Sequence, residues 1–174
     1  VELYAVRQAV SHKRDADLWP DDSKRPLTTG GEECFRRAAR GILRLVPEVD
    51  LVLSSSFTRA WRTAELLERQ GWPAPVPCEE LEPDYPLHKV VGVLADHAGV
   101  GSVAVVGHRS GLHELVSYLL IGDAEGANVQ IKKGGIVRLQ IEGCPDPGFA
   151  SLRWLATPKV LRAVRSEPPR DPEG

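Results

Sequence analysis

Methionine is missing altogether from this chain of 174 residues. Its absence at position 1 reads as an initiator removed or left out of the numbering. Cysteine is scarce: Cys34, Cys78 and Cys144 are odd in number, far apart, and include no Cys-x-x-Cys pair. That spacing argues against a disulfide framework or a zinc or other metal site, and fits reduced thiols in the cytoplasm. No apolar run approaches membrane-spanning length and no signal peptide is visible, so no membrane partner is expected. Excess charge is missing too. A net charge of −2 gives no global field toward nucleic acid, and any affinity for an anion has to be local. What is there, 42% hydrophobic and 26% charged residues, fits one soluble domain with room for a core.

Strand and helix patterns alternate along the chain, which predicts an α/β fold. Residues 2–6 read as a buried strand that ends at Arg7-Gln8. Residues 8–28 form a polar loop, and loops of that length inside compact domains are often functional. Thr28 or Thr29 caps a helix running to about Val46, with Glu32 three residues past Thr29 as a candidate capping box. Phe35, Ala38, Ala39, Ile42, Leu43 and Val46 share its apolar face, and Pro47 ends it. Residues 50–53 are a second strand. Ser54 to Thr58 then lead to Arg59, which opens a helix stopped by Gly71-Trp72-Pro73. Residues 76–81 read as a short strand entering an acidic loop, and 87–98 as a helix. The most strand-like run is 102–106, followed directly by Gly107-His108 and a helix from Leu112 to about Ile121. Residues 136–141 and 151–155 pair as strands, and Pro158 starts a short helix. Proline and charge over 166–174 predict a disordered tail after one domain spanning 1–165.

Three of the apolar strands stop at chemistry-bearing residues. If they are parallel, their carboxyl ends gather Arg7, Arg59 and His108 on one edge, with Arg62 one helical turn from Arg59. Two guanidiniums and an imidazole beside helix N-termini suit a tetrahedral oxyanion, because arginine forks match its oxygens in pairs and free backbone N–H groups add attraction. Each residue also has a plainer reading. Arg7 reads equally as a salt-bridge partner, Arg59 and Arg62 as solvated helix residues, and His108 as a core histidine bonded to backbone. Their shared position after three strong strands favours the site. His12, His88, His97 and His113 read as surface or structural.

Residues 3–9 (Leu-Tyr-Ala-Val-Arg-Gln-Ala), 53–67 (Leu-Ser-Ser-Ser-Phe-Thr-Arg-Ala-Trp-Arg-Thr-Ala-Glu-Leu-Leu) and 105–108 (Val-Val-Gly-His) resemble three motifs of the histidine phosphatase superfamily. Arg25-Pro26-Leu27-Thr28, Lys132-Lys133-Gly134-Gly135 and the segment from Arg153-Trp154-Leu155 to Pro158-Lys159 are similar to its small SixA-type phosphohistidine phosphatases. The resemblance runs from residue 3 to about 162. It implies a single three-layer α/β domain with a mostly parallel central sheet flanked by helices. It also implies that Arg7, Arg59 and His108 hold phosphate, that no cofactor is needed, and that the ligand is phosphate or a phosphorylated protein or peptide. In the superfamily the first strand ends in Arg-His, and that histidine takes the phosphoryl group. Here position 8 is Gln8.

Glutamine cannot serve as that nucleophile, since its amide nitrogen is delocalised and its oxygen attacks weakly; it can still hydrogen-bond a phosphate oxygen. His12, four residues downstream in a loop, is a poor substitute. Arg109 stands where the superfamily often has an acidic or polar residue and makes the rim more basic, with Arg25 and Arg62 as further rim candidates. Nothing in the sequence chooses a proton donor among Glu79, Glu80, Glu82 and Asp84. Two expectations follow. One is a phosphohistidine phosphatase, acting through a covalent phosphohistidine intermediate, that Gln8 leaves impaired or inactive. The other is a pseudophosphatase that binds phosphate or a phosphoprotein without turnover. A plain α/β domain with no anion site is hard to square with three motifs in register.

Overall fold

The computed structural model describes residues 1–165, so the tail expected over 166–174 lies outside the described residues. Alternation of buried side chains decides the architecture. In β1 (Glu2–Arg7) the four central residues are all buried, Leu3 and Ala5 toward one face of the sheet and Tyr4 and Val6 toward the other. A strand buried on both faces belongs in the middle of a sheet. With β2 (Leu51–Ser54), β3 (Val76–Pro77), β4 (Ser102–Gly107), β5 (Ile136–Ile141) and β6 (Ala150–Ala156) the strand order is β3-β2-β4-β1-β5-β6. The first four strands in that order pair in parallel; β5 runs antiparallel to β1, and β6 antiparallel to β5.

Helices cover both faces. On one, α1 (Thr29–Leu45), α2 (Thr58–Gln70) and α5 (Pro158–Ala163) bring Phe35, Ile42, Leu66, Leu67 and Leu161 onto Tyr4, Val6, Val52, Ala104 and Val106. On the other, α3 (Leu87–Asp96) and α4 (Arg109–Ile121) bring Val90, Leu94, Leu112, Leu115 and Leu119 onto Leu3, Ala5, Leu53, Val103 and Val105. Each of the valine, leucine, isoleucine and phenylalanine side chains among them contributes roughly 1.5–3 kcal/mol when fully buried. The result is the three-layer α/β domain expected, with the mixed edge confined to β5 and β6. No helix among the described residues is long and apolar enough to cross a membrane.

Local departures have local causes. Thr28, not Thr29, caps α1, its Oγ1 accepting from the Gly31 N–H at 2.9 Å. Glu32 does not close a capping box there; its carboxylate bonds Arg36 and Arg62 instead. The strand expected over 76–81 shrinks to Val76–Pro77, and Glu79–Leu81 form a 3-10 turn. Pro75 and Pro77 have no N–H to donate, so the ladder cannot extend through them. The fourth helix begins at Arg109, three residues before Leu112, because Arg109-Ser110-Gly111 carry no apolar signal.

Gly41 sets how closely α1 and α5 approach. A Cβ at Gly41 would overlap the backbone carbonyl of Leu161, which cannot swing away as a side chain could. Gly41→Ala is expected to destabilise the protein by about 2–3 kcal/mol through overpacking. A thermal or urea unfolding curve superposable on that of the unsubstituted protein would refute this contact.

Candidate anion-binding site

Parallel register sets the ends of three strands side by side, with Arg7 opposite Gly107 and Ser54 opposite Val106. The chain leaves the sheet at each end under backbone control. The Gln8 N–H donates to the Gly107 carbonyl at 2.9 Å, and the Ser55 N–H to the Val106 carbonyl at 3.0 Å. Gly134, at φ +77°, offers its N–H to the carbonyls of both Arg7 and Gln8 at 3.0 Å. That left-handed backbone favours glycine. On the other side, the Ala9 N–H donates to Thr63 Oγ1 at 3.0 Å. Gln8 is thus pinned before and after its own Cα.

Its side chain is not satisfied. Gln8 is 7% exposed, and its Oε1 is buried without a hydrogen-bond partner. Next to it, Arg7 donates Nη1 to the Ile131 carbonyl at 2.8 Å, while its Nε is buried and unpartnered. An unmade buried hydrogen bond costs roughly 1–3 kcal/mol. Two on adjacent residues call for an explanation, and a ligand is one. Arg7 Nε–H is a donor whose hydrogen bond an oxyanion can accept. A protonated phosphate oxygen donates to Gln8 Oε1, and an amide turned through half a revolution presents its NH2 to a bare one.

His108 is the N-cap residue of α4. Its Nε2 lies 2.9 Å from Ser55 Oγ, and its ring meets Phe57 edge-on. Burial, followed by the charge of Arg59, pushes its pKa down to about 3, with Arg25 and Arg7 adding to the same effect. The imidazole is therefore neutral at pH 7. Arg59, 4% exposed, lies over the Phe57 ring. It donates Nη1 to the Asp22 carbonyl at 2.9 Å and Nη2 to the Asp22 carboxylate at 3.2 Å. Burial lowers its pKa first and the neighbouring Arg25 second. Arg7 is lowered in the same way, by burial and then by Arg109.

The chain as a whole is similar to known proteins. An uncharacterised protein of Picosynechococcus sp. is 31% identical over 143 residues, an alignment that covers 80% of this chain and 85% of that protein. The two belong to one family. No family model matches the chain. The protein histidine phosphatase SixA complexed with tungstate superposes with a TM-score of 0.80 at 24% identity, covering 91% of this chain and 98% of that one. A phosphoserine phosphatase of Entamoeba histolytica, a histidine-to-alanine mutant in complex with phosphoserine, superposes with a TM-score of 0.68 at 15% identity. There the match covers 92% of this chain and 98% of the other. The fold is that of the histidine phosphatase superfamily.

On this histidine phosphatase fold, the structure sorts the residues singled out in the sequence. Arg7 and Gln8 sit together at the end of β1, and the charges of Arg7, Arg59 and Arg25 all act on His108. Arg25 is held in the same cluster: its Nε donates to Asp22 at 2.8 Å and its Nη1 to Ser11 Oγ at 3.0 Å. Arg109 is exposed at the start of α4 and close enough to Arg7 to depress its pKa. Arg62 is turned to other partners, Glu32 on α1 and Glu65 on α2. Although burial lowers its pKa, the hydrogen bonds and charges of those two carboxylates outweigh that and raise it.

Three supporting residues were not assigned to the site from the sequence. Asp22 gathers Arg59, Arg25 and, at 3.7 Å, Arg14. Burial favours its neutral form, but the Arg25 hydrogen bond and the surrounding guanidiniums prevail and hold its carboxyl below the usual range. Ser55 orients His108. His113 Nε2 accepts the Ile131 N–H at 3.1 Å, and the Ile131 carbonyl in turn accepts from Arg7, so α4 braces Arg7 through one residue. Beside His108 opens a cavity of about 280 Å³ whose wall includes Glu80, Glu82, Asp84, Tyr85 and Glu114. Glu80 already accepts from Cys78 Sγ at 3.4 Å, which leaves Glu82, Asp84 and Glu114 as its less committed carboxylates. No cluster of metal-ligating side chains occurs among the described residues.

The depressed pKa of His108 has a stability consequence. The unfolded chain takes up a proton near pH 6.5, the folded one only near pH 3. Stability from this group is therefore fully present above about pH 6.5 and is lost as pH falls toward 3. Between pH 7 and pH 4.5 the loss should be about 2.5 kcal/mol. Urea unfolding at both values, compared with His108→Gln, checks it. The variant should lose less stability on acidification, and an unaltered pH dependence would contradict the assignment.

Proposed function

We propose that this protein is a phosphoryl-binding domain of SixA type, engaging phosphate or a phosphorylated histidine of a protein, with covalent turnover removed by Gln8. The observation that carries this reading is the pair of buried, unpartnered atoms, Gln8 Oε1 and Arg7 Nε, at the end of β1. An amide there hydrogen-bonds a phosphate oxygen and does not form a phosphoenzyme. Arg7, Arg59 and His108 supply the rest of the cradle. Two relatives of the fold support it: one holds tungstate, a tetrahedral oxyanion, and the other, lacking a histidine, holds a phosphate ester. A slow phosphatase is the second reading. The less committed carboxylates beside His108 favour it, since one of them can assist a water molecule attacking phosphorus directly.

Calorimetry with inorganic phosphate, and incubation with a phosphohistidine peptide, test the proposal together. Expected are saturable phosphate binding, no acid-labile phosphoenzyme and little or no release of phosphate. Absence of phosphate binding would overturn the site. Brisk turnover would overturn the loss of catalysis, and would make His12 and His108 the nucleophiles to replace next.

A further inference from the structure

The proposed site lies between surfaces of opposite sign. On the His108 side the cavity wall is acidic. On the Arg7 side a hollow of about 600 Å³ is lined by Arg7, Lys132, Lys133, Lys159 and Arg162, with Thr157 and Pro158 between them. Arg162 also lines a second hollow, of about 340 Å³, whose other walls are Arg37, Arg40, Arg44 and Arg165 and no further residue. The two hollows share Arg162 and so form one track leading away from Arg7.

Sequence and packing both build this track. Arg37, Arg40 and Arg44 follow a spacing of three and four along α1, which puts them on one stripe of the helix. Gly41, on the same helix, lets α5 close in and carries Arg162 alongside that stripe. The Arg162 guanidinium reaches Cys34 Sγ at 2.8 Å, and that of Arg44 the Val164 carbonyl. Among the described residues no carboxylate pairs with any cation of the track; the ion pairs of the structure use Arg14, Arg25, Arg36, Arg59, Arg62 and Arg138. In a chain of net charge −2, nine cations line these two hollows. Like charges held this close repel one another, and an anionic partner relieves that repulsion.

We propose that the track is a docking surface for an acidic segment of a partner protein, one that delivers its phosphorylated side chain to the site at Arg7. The delivery rests on the phosphoryl-binding reading; the docking does not. Six of the nine cations are arginines, whose forks take planar carboxylates two bonds at a time. Neither hollow contains an aromatic ring, so bases have no platform to stack on, and this favours protein over single-stranded nucleic acid.

The test uses the full chain and three probes: an unphosphorylated glutamate-rich peptide, an oligothymidylate, and inorganic phosphate. The triple variant Arg37→Glu/Arg40→Glu/Lys159→Glu changes only exposed side chains. Expected is peptide binding that weakens about tenfold or more in the variant and falls with added salt, while phosphate affinity stays within about twofold. Peptide binding indifferent to the variant, no peptide binding at all, or tighter binding of the oligothymidylate would each overturn the docking proposal. Failure of phosphate to bind, with peptide docking intact, would sink the phosphoryl-binding reading and the delivery alone.

Discussion

Gln8→His should gain phosphoryl transfer by on the order of a thousandfold or more over the present chain, because groups that act as a unit fail and recover together. The backbone around position 8 is already fixed by Gly107, Gly134 and Thr63, so the substitution changes a side chain and not a loop. The site is 7% exposed at that residue, and the side chain of histidine is close in size to that of the glutamine it would replace. Arg7 retains an unpartnered Nε–H to hold the phosphoryl group in place, and Arg59 has N–H groups beyond the two that Asp22 occupies. The new imidazole nitrogen attacks phosphorus, the leaving group departs with a proton, and water then hydrolyses the phosphoimidazole. The measurements are an acid-labile phosphoenzyme and a turnover rate, for the unsubstituted protein, Gln8→His and Gln8→His/Arg59→Ala. A gain that Arg59→Ala abolishes supports a phosphatase site one residue short. An inert Gln8→His that still binds phosphate would mean that the cradle no longer presents phosphorus to position 8.

That argument was accessible from sequence only in part, and the division follows physical lines. Residues 2–6, 50–53 and 102–106 announce themselves because strands covered on both faces are near-continuous apolar runs. Whatever follows such a run must stand at the sheet edge, which is why Arg7 and His108 were legible. Asp22 was not: it lies in a loop of more than fifteen residues with no periodicity, and only the fold brings it under Arg59. Arg62 shows the opposite limit. One turn from Arg59, it seemed to share that residue's surroundings, yet the three-residue step rotates it toward α1, where Glu32 captures it. The long loop before α1, read as functional from its length, supplies a carboxylate that gathers Arg59, Arg25 and Arg14 rather than another cation.

Arg59→Met is expected to weaken phosphate binding by about a hundredfold, more than the loss of its hydrogen bonds alone would give. In the structure the guanidinium is 4% exposed and serves two anions at once, the Asp22 carboxylate now and, in the proposed reading, the ligand when it arrives. Methionine fills much of the same volume and removes both interactions. Asp22 then keeps Arg25 at 2.8 Å and the more distant Arg14, but its charge is less neutralised on the side facing His108. A carboxylate left there repels an incoming phosphate. Asp22→Asn in the Arg59→Met background should therefore recover part of the lost affinity, whereas Asp22→Asn alone should leave binding unchanged or tighter. Calorimetry on the four proteins closes the cycle, and a clear coupling energy between the two positions is the expected result. Strict additivity would mean that Asp22 and the ligand do not compete for the same guanidinium. Phosphate binding undiminished by Arg59→Met would remove Arg59 from the site and leave the anion to Arg7, Gln8 and His108.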